Sequence, residues 1–134
     1  MVTSGAAASG ATTAVILVAY NSGDTLLTCL DALLGPQRRE HPPVYVSIID
    51  NASAPNDRAL RTAKDRYPEI TALPLRRNIG FGRAVNLAVS RLPAQISTII
   101  TLNPDTLPPA HLSEMLAETL AVNPELGGVG ATLT

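Results

Sequence analysis

Four short polar clusters carry most of the chemistry that this chain offers: Tyr20-Asn21, Asp50-Asn51, Arg76-Arg77-Asn78 and Asn103-Pro104-Asp105. Each follows directly on an apolar run. Together they supply carboxylates, guanidinium groups, amides and an aromatic ring, which suits a ligand that joins a base or sugar to a diphosphate. Arginines present planar forks to phosphate oxygens, and a carboxylate holds a divalent cation that the phosphates also ligate. Mg²⁺ is usually bound through only one or two protein carboxylates plus substrate phosphates, so Asp105 suffices when the substrate brings the other ligands. The glycine turn Asn78 to Gly82, N-I-G-F-G, serves either as a helix entry needing unusual backbone angles or as a direct ligand contact.

The elements that must place these clusters alternate along the chain. Ala14 to Tyr20 is a continuous apolar run without period-two alternation, as expected of a central strand covered on both faces. Leu26, Leu27, Leu30, Leu33 and Leu34 then repeat at helical spacing, with Ser22 or Asp24 as the expected cap and Gly35-Pro36 as the stop. Further strands are predicted over Val44 to Asp50, Ile70 to Leu75, Ile96 to Leu102 and Gly128 to Leu133, the third toward a sheet edge because of Pro74. The predicted helices between them run from Asn56 to Tyr67, Gly82 to Leu92 (Val85, Ala88, Val89 and Leu92 inward) and Pro109 to Val122 (Leu112, Met115, Leu116 and Leu120 inward). Strands alternating with helices of this length imply a mostly parallel sheet with helices on both faces. In such a sheet all strand carboxyl ends share one edge, where ligands of open α/β sheets bind, so the four clusters are expected to converge. Polar turns occur on any surface, but that alone does not select acids and arginines.

The chain has 134 residues, 46% apolar and 16% charged, with a net charge of -1. That length suits one domain with a real core, and the absence of a basic excess argues against a nucleic acid partner. Cys29 among leucines reads as a small buried thiol. His41 and His111 read as surface or capping residues, Met115 as core, and Arg58 to Arg66 as the solvated face of a helix. Residues 1–13 are expected to be a disordered leader, followed by a ligand-binding α/β unit over 14–134 that looks incomplete at its C-terminal end. The leader lacks a signal peptide's basic start, and Ala14 to Tyr20 falls far short of the roughly 20 apolar residues that span a bilayer, so no transmembrane segment and a cytoplasmic location are expected. Neither G-x-G-x-x-G nor G-x-x-x-x-G-K-[ST] follows the first strand, which disfavours a dinucleotide fold or a P-loop. A flavodoxin-like or response-regulator-like domain would want a phosphate-cradling loop or paired acids where Tyr20-Asn21 stands.

Four stretches resemble the inverting, GT-A type glycosyltransferases of family 2, and within them the rhamnosyltransferase-like members: V-I-L-V-A-Y-N-S-G-D-T-L at 15–26, V-S-I-I-D-N-A-S at 46–53, L-R-R-N-I-G-F-G-R-A-V-N at 75–86 and I-I-T-L-N-P-D-T at 99–106. The resemblance implies a GT-A (Rossmann-like) fold in which Tyr20, Asn21, Asp50, Asn51, Arg77, Asn78, Gly80, Gly82 and Asn103 bind the donor and Asp105 ligates Mg²⁺ or Mn²⁺. It implies that Tyr20 and Asn21 line the nucleobase pocket, that Asp50 hydrogen-bonds the base or ribose, and that the donor is a dTDP- or UDP-linked sugar, rhamnose first. The acceptor would be a saccharide or a lipid-linked sugar, in cell wall polysaccharide synthesis at the inner face of the membrane. Asn103 stands where the family's commoner D-x-D has its first acid. The general base of these enzymes lies in a later half, so the expectation is a donor-binding region inactive by itself; the alternative is a non-catalytic nucleotide-sugar-binding module.

Overall fold

The computed structural model describes residues 10–132. Four strands, β1 (Thr13–Ala19), β2 (Tyr45–Asp50), β3 (Thr71–Pro74) and β4 (Thr98–Leu102), pair in parallel throughout in the order β3-β2-β1-β4. Four helices, α1 (Asp24–Leu34), α2 (Ala59–Arg66), α3 (Phe81–Val89) and α4 (Leu112–Val122), follow β1, β2, β3 and β4 in turn. The α/β expectation holds, with β1 in the interior of the sheet and β3 at an edge.

Alternation along β1 divides the core. Val15, Leu17 and Ala19 pack with Leu26, Cys29, Leu30 and Leu33 of α1 and Ala59 and Ala63 of α2, while Ile16 faces Ala84 and Ala88 of α3 on the other side. The two alanines let α3 approach the sheet closely; Val89, expected inward, is exposed. Met115 is exposed as well, because α4 rests on the body through Leu112, Ser113 and Leu116 rather than through a full stripe. Its first turn is held instead by charge: Glu114 accepts from Arg38 at 3.3 Å and contacts His41 Nδ1 at 2.8 Å. His41 is thus a half-buried ion-pair partner, and His111 sits exposed just ahead of the helix.

Other boundaries shift for local reasons. Neither Ser22 nor Asp24 caps α1: Gly23 stands at its start with φ 55°, and Thr25 donates to the Ser22 carbonyl at 2.6 Å. Asp57 accepts the Ala59 N–H at 2.9 Å and the Gly23 N–H at 3.2 Å, so residues 56–58 form a capping turn and α2 starts later than expected. Ile96 donates to the Pro93 carbonyl in a turn, which delays β4. No strand forms over residues 128–132, contrary to expectation, and the last residues of that predicted strand lie outside the described ones. Of the expected leader, residues 1–9 lie outside them too; Ala11 is buried, and the Thr12 carbonyl accepts from Ser97 at 2.8 Å.

One polar cluster ties α1 to α2. Asp31 accepts the Tyr67 hydroxyl at 2.5 Å and both its oxygens take Arg66, at 3.0 and 2.9 Å. The Tyr67 hydroxyl, and after it Arg66, hold the Asp31 carboxyl below its usual range, while burial and the Asp31 hydrogen bond push Tyr67 up to about 12. A carboxylate lowered in the folded state adds stability above its unfolded value of about 3.9, and that stability is lost as pH falls through the folded value. Urea unfolding followed from about pH 5 to pH 2 should therefore show wild type losing stability more steeply than Asp31→Asn; parallel acid limbs would mean that the cluster contributes nothing.

Candidate functional site

The register brings the strand ends level. Ala19 lies opposite Asp50 and Asp50 opposite Pro74, whereas β4 ends at Leu102 opposite Leu17, so that Asn103 to Asp105 continue alongside the end of β1. Two backbone bonds extend the pairing past the strands: Asn51 N–H donates to the Ala19 carbonyl at 2.7 Å, and Leu75 N–H to the Asp50 carbonyl at 2.8 Å.

Between the β1 and β4 loops lies an open groove of about 470 Å³ lined by Tyr20, Asn21, Asn103 and Asp105, with Val18, Ser22, Thr25 and Pro104 completing its walls. Tyr20 is 56% exposed and presents an aromatic ring to the groove. Asn103 and Asp105 are also exposed. Their turn is closed by Thr106, whose N–H and hydroxyl both donate to the Asn103 carbonyl, at 3.1 and 2.7 Å. Beneath the turn the Cys29 thiol lies 3.9 Å from the Thr106 hydroxyl and 4.0 Å from the Asn103 carbonyl. Burial pushes this thiol up, and the nearby Asp105 charge pushes the same way, so it is a neutral packing group and not a nucleophile.

Asp50 reaches the groove through a residue that no pattern in the sequence singled out. Ser53 donates its hydroxyl to Asp50 Oδ1 and its N–H to the same oxygen at 3.1 Å, and its Oγ accepts the Asn21 N–H at 2.9 Å. Asn21 Oδ1 in turn accepts the Ala54 N–H at 2.7 Å. Both Asn21 (φ 49°) and Ala52 (φ 66°) are left-handed non-glycine residues, a conformation that persists only where neighbours over-determine it. These four hydrogen bonds do so. The only sequence signal was the short spacing in D-N-A-S, where a serine reaches back to an aspartate as in an Asx turn.

On the other flank, Arg76, Arg77, Asn78, Gly80 and Gly82 are all exposed around the turn that opens α3. Asn78 Oδ1 accepts the Gly80 N–H at 2.9 Å, and Gly80 has φ 84°, which a side chain would strain although nothing blocks the space. Asn51, expected among the ligand contacts, is buried at 3% exposure, and its Oδ1 accepts the Ile79 N–H at 2.9 Å. The sheet order sets β3 three strand spacings from β4, roughly 14 Å. Arg77 and Asp105 therefore follow strands at opposite edges of the sheet. Among the described residues no group of three or more His, Cys, Asp or Glu side chains gathers as a metal site. The donor set at Asp105, one exposed carboxylate beside one amide, fits a hard cation held mainly by phosphate oxygens and water.

Residues 14–132 match the model of glycosyl transferase family 2. The chain belongs to that family. It is 30% identical over 125 residues to the N-acetylglucosaminyl-diphospho-decaprenol L-rhamnosyltransferase of Mycobacterium tuberculosis, a match covering 87% of this chain and 39% of that protein, so the chain spans well under half the length of its curated relative. Among solved structures it is similar to residues 1–349 of TarS from S. aureus in complex with UDP-GlcNAc (TM-score 0.65, 18% identity, 91% of this chain and 37% of that one). It is also similar to the mannosyltransferase PcManGT from Pyrobaculum calidifontis in complex with GDP-Man and Mn²⁺ (TM-score 0.67, 21% identity, 82% of this chain and 32% of that one). At those identities the likeness shows a shared GT-A fold. Among the described residues of this family 2 chain, no helix is long and apolar enough to cross a membrane.

Because Ser53 joins Asn21 to Asp50, Ser53→Ala should lower stability by about 1 kcal/mol in urea unfolding, and Ser53→Thr, which keeps the hydroxyl, by less. Unchanged stability in Ser53→Ala would show that the two strained loops are held by other contacts.

Proposed function

We propose that this chain is the donor-binding region of a glycosyltransferase that moves a sugar, rhamnose as the first assignment, from a nucleoside diphosphate to an acceptor hydroxyl with inversion. The observation that carries the reading is the single groove joining Tyr20 and Asn21 to Asn103 and Asp105, with Asp50 tied to it through Ser53. The nucleoside lies across the ends of β1 and β2, where Tyr20 offers a ring face and Asp50 an acceptor for base or ribose. The diphosphate lies toward β4. There Asp105, with Asn103 beside it, would hold Mg²⁺ or Mn²⁺, which supplies positive charge against the departing diphosphate.

In this reading Arg77 serves the nucleoside side of the pocket, with Asn78, Gly80 and Gly82, and the order of the strands, which sets β3 and β4 at opposite edges, supports that assignment. The transfer is one displacement, in which the acceptor oxygen bonds to the anomeric carbon as the bond to the diphosphate oxygen breaks. No base is assigned here, since Asp57 caps α2 and Asp31 is spent on Tyr67 and Arg66. The mycobacterial relative's name supports rhamnose and a lipid-linked acceptor; a place in cell wall polysaccharide synthesis at the inner face of the membrane is part of the same proposal. The sugar nucleotides in the two structural neighbours support a nucleoside diphosphate donor.

Titration calorimetry with dTDP, UDP and GDP, each with and without Mg²⁺ or Mn²⁺, tests this. Metal-dependent binding of one nucleotide, weakened about tenfold or more in Asp105→Ala, is the expected outcome. A folded sample that binds none of them, or an Asp105→Ala protein that binds as wild type does, would overturn the donor site.

A further inference from the structure

Asn51 stands apart from the residues around it. Tyr20, Asn21, Asn78, Asn103 and Asp105 all face solvent, whereas Asn51 is 3% exposed. Its side-chain oxygen accepts the Ile79 N–H at 2.9 Å, and its own N–H donates to the Ala19 carbonyl at 2.7 Å. One residue thereby joins the end of β1, the end of β2 and the loop after β3. That oxygen is buried and already accepts the Ile79 N–H, so a ligand would have to reach its second lone pair through the packed strand ends, or displace Ile79 and leave a part-buried N–H without its acceptor, which is costly.

The turn from Asn78 to Gly82 needs such a tie. Of its other hydrogen bonds, Gly80 N–H to Asn78 Oδ1 lies within the turn and Ala84 N–H to the Gly80 carbonyl, at 3.2 Å, joins it to α3; neither reaches the ends of β1 or β2. The Ile79 side chain packs against the core on the α3 side, a non-directional contact that anchors the loop but leaves its angle to the sheet free. The bond to Asn51 is directional and starts one residue from Asp50.

We propose that Asn51 is a positioning residue and not a donor contact: it holds the Asn78–Gly82 turn at a set distance from Asp50, so that the two flank the same nucleoside. The consequence for binding rests on the donor-site reading above; the coupling itself does not. Asn51→Leu is close in shape and lacks the acceptor, whereas Asn51→Asp keeps an oxygen where Ile79 needs it.

The test combines amide hydrogen exchange of the ligand-free 134-residue chain with titration of dTDP and UDP in the presence of Mg²⁺. In Asn51→Leu the Ile79 amide should exchange about tenfold faster while the Leu17 and Ile48 amides keep wild-type rates, and nucleotide affinity should fall about tenfold. Asn51→Asp should return both to within about threefold of wild type. Undisturbed Ile79 exchange in Asn51→Leu would overturn the coupling. Loss of affinity in Asn51→Asp with Ile79 still protected would overturn the positioning role and mark the amide NH₂ as a ligand contact. Should Asn51→Leu not fold, Asn51→Ala takes its place with the same expected outcomes. If wild type binds neither nucleotide, the donor reading falls and the Ile79 exchange rate decides the coupling alone.

Discussion

The burial of β1 on both faces is the constraint on which the rest depends. A strand with α1 and α2 on one side and α3 on the other exposes no side-chain row to water, and the helices that cover it are the crossovers that return the chain to pair each neighbour in parallel. Parallel strands put every carboxyl end on one edge. Chemistry then gathers at that edge without any long loop reaching over, since Tyr20, Asp50, Arg76 and Asn103 need only follow their strands.

The edge is made rigid by hydrogen bonds between loops more than by packing. Asn21 and Ala52 hold left-handed backbones that cost energy in isolation, and Ser53 supports both by satisfying Asp50 and the Asn21 N–H together. An edge built this way is ordered without a ligand, and preorganisation of that kind lowers the entropic cost of binding in general. The Asn103–Thr106 turn follows the same logic with different partners, resting on the Cys29 thiol of α1 where the others rest on each other.

Charge is used sparingly. One exposed carboxylate cannot by itself hold a hard cation tightly in water, and this leaves affinity to arise only when phosphate oxygens complete the coordination. Arg76 and Arg77 follow the strand at the opposite edge of the sheet, and among the described residues Asp105 has no ion pair. The two ends of the edge therefore differ in chemistry, with guanidinium groups following β3 and a carboxylate following β4.

Apolar runs and helical spacing determined the types of four strands and four helices and the interior place of β1, Pro74 the edge place of β3, and the alternation of the two the shared edge on which the four polar clusters fall; the strand expected from Gly128 did not form over the described residues. Boundaries were less legible: Asp57 moved the start of α2 by bonding back to Gly23, a residue far away in sequence. Met115 and Val89 had helical spacing yet face solvent, since spacing defines a stripe but not how much of it finds a partner. The division of labour within the site was decided only in three dimensions. Asn51 and Asn103 are both amides following a strand, and nothing local distinguishes them; the hydrogen bond from Ile79 buries one, and the open flank of β4 leaves the other in the groove. Ser53 became visible only when the ends of β1 and β2 were side by side, because its partners Asn21 and Asp50 come from different strands.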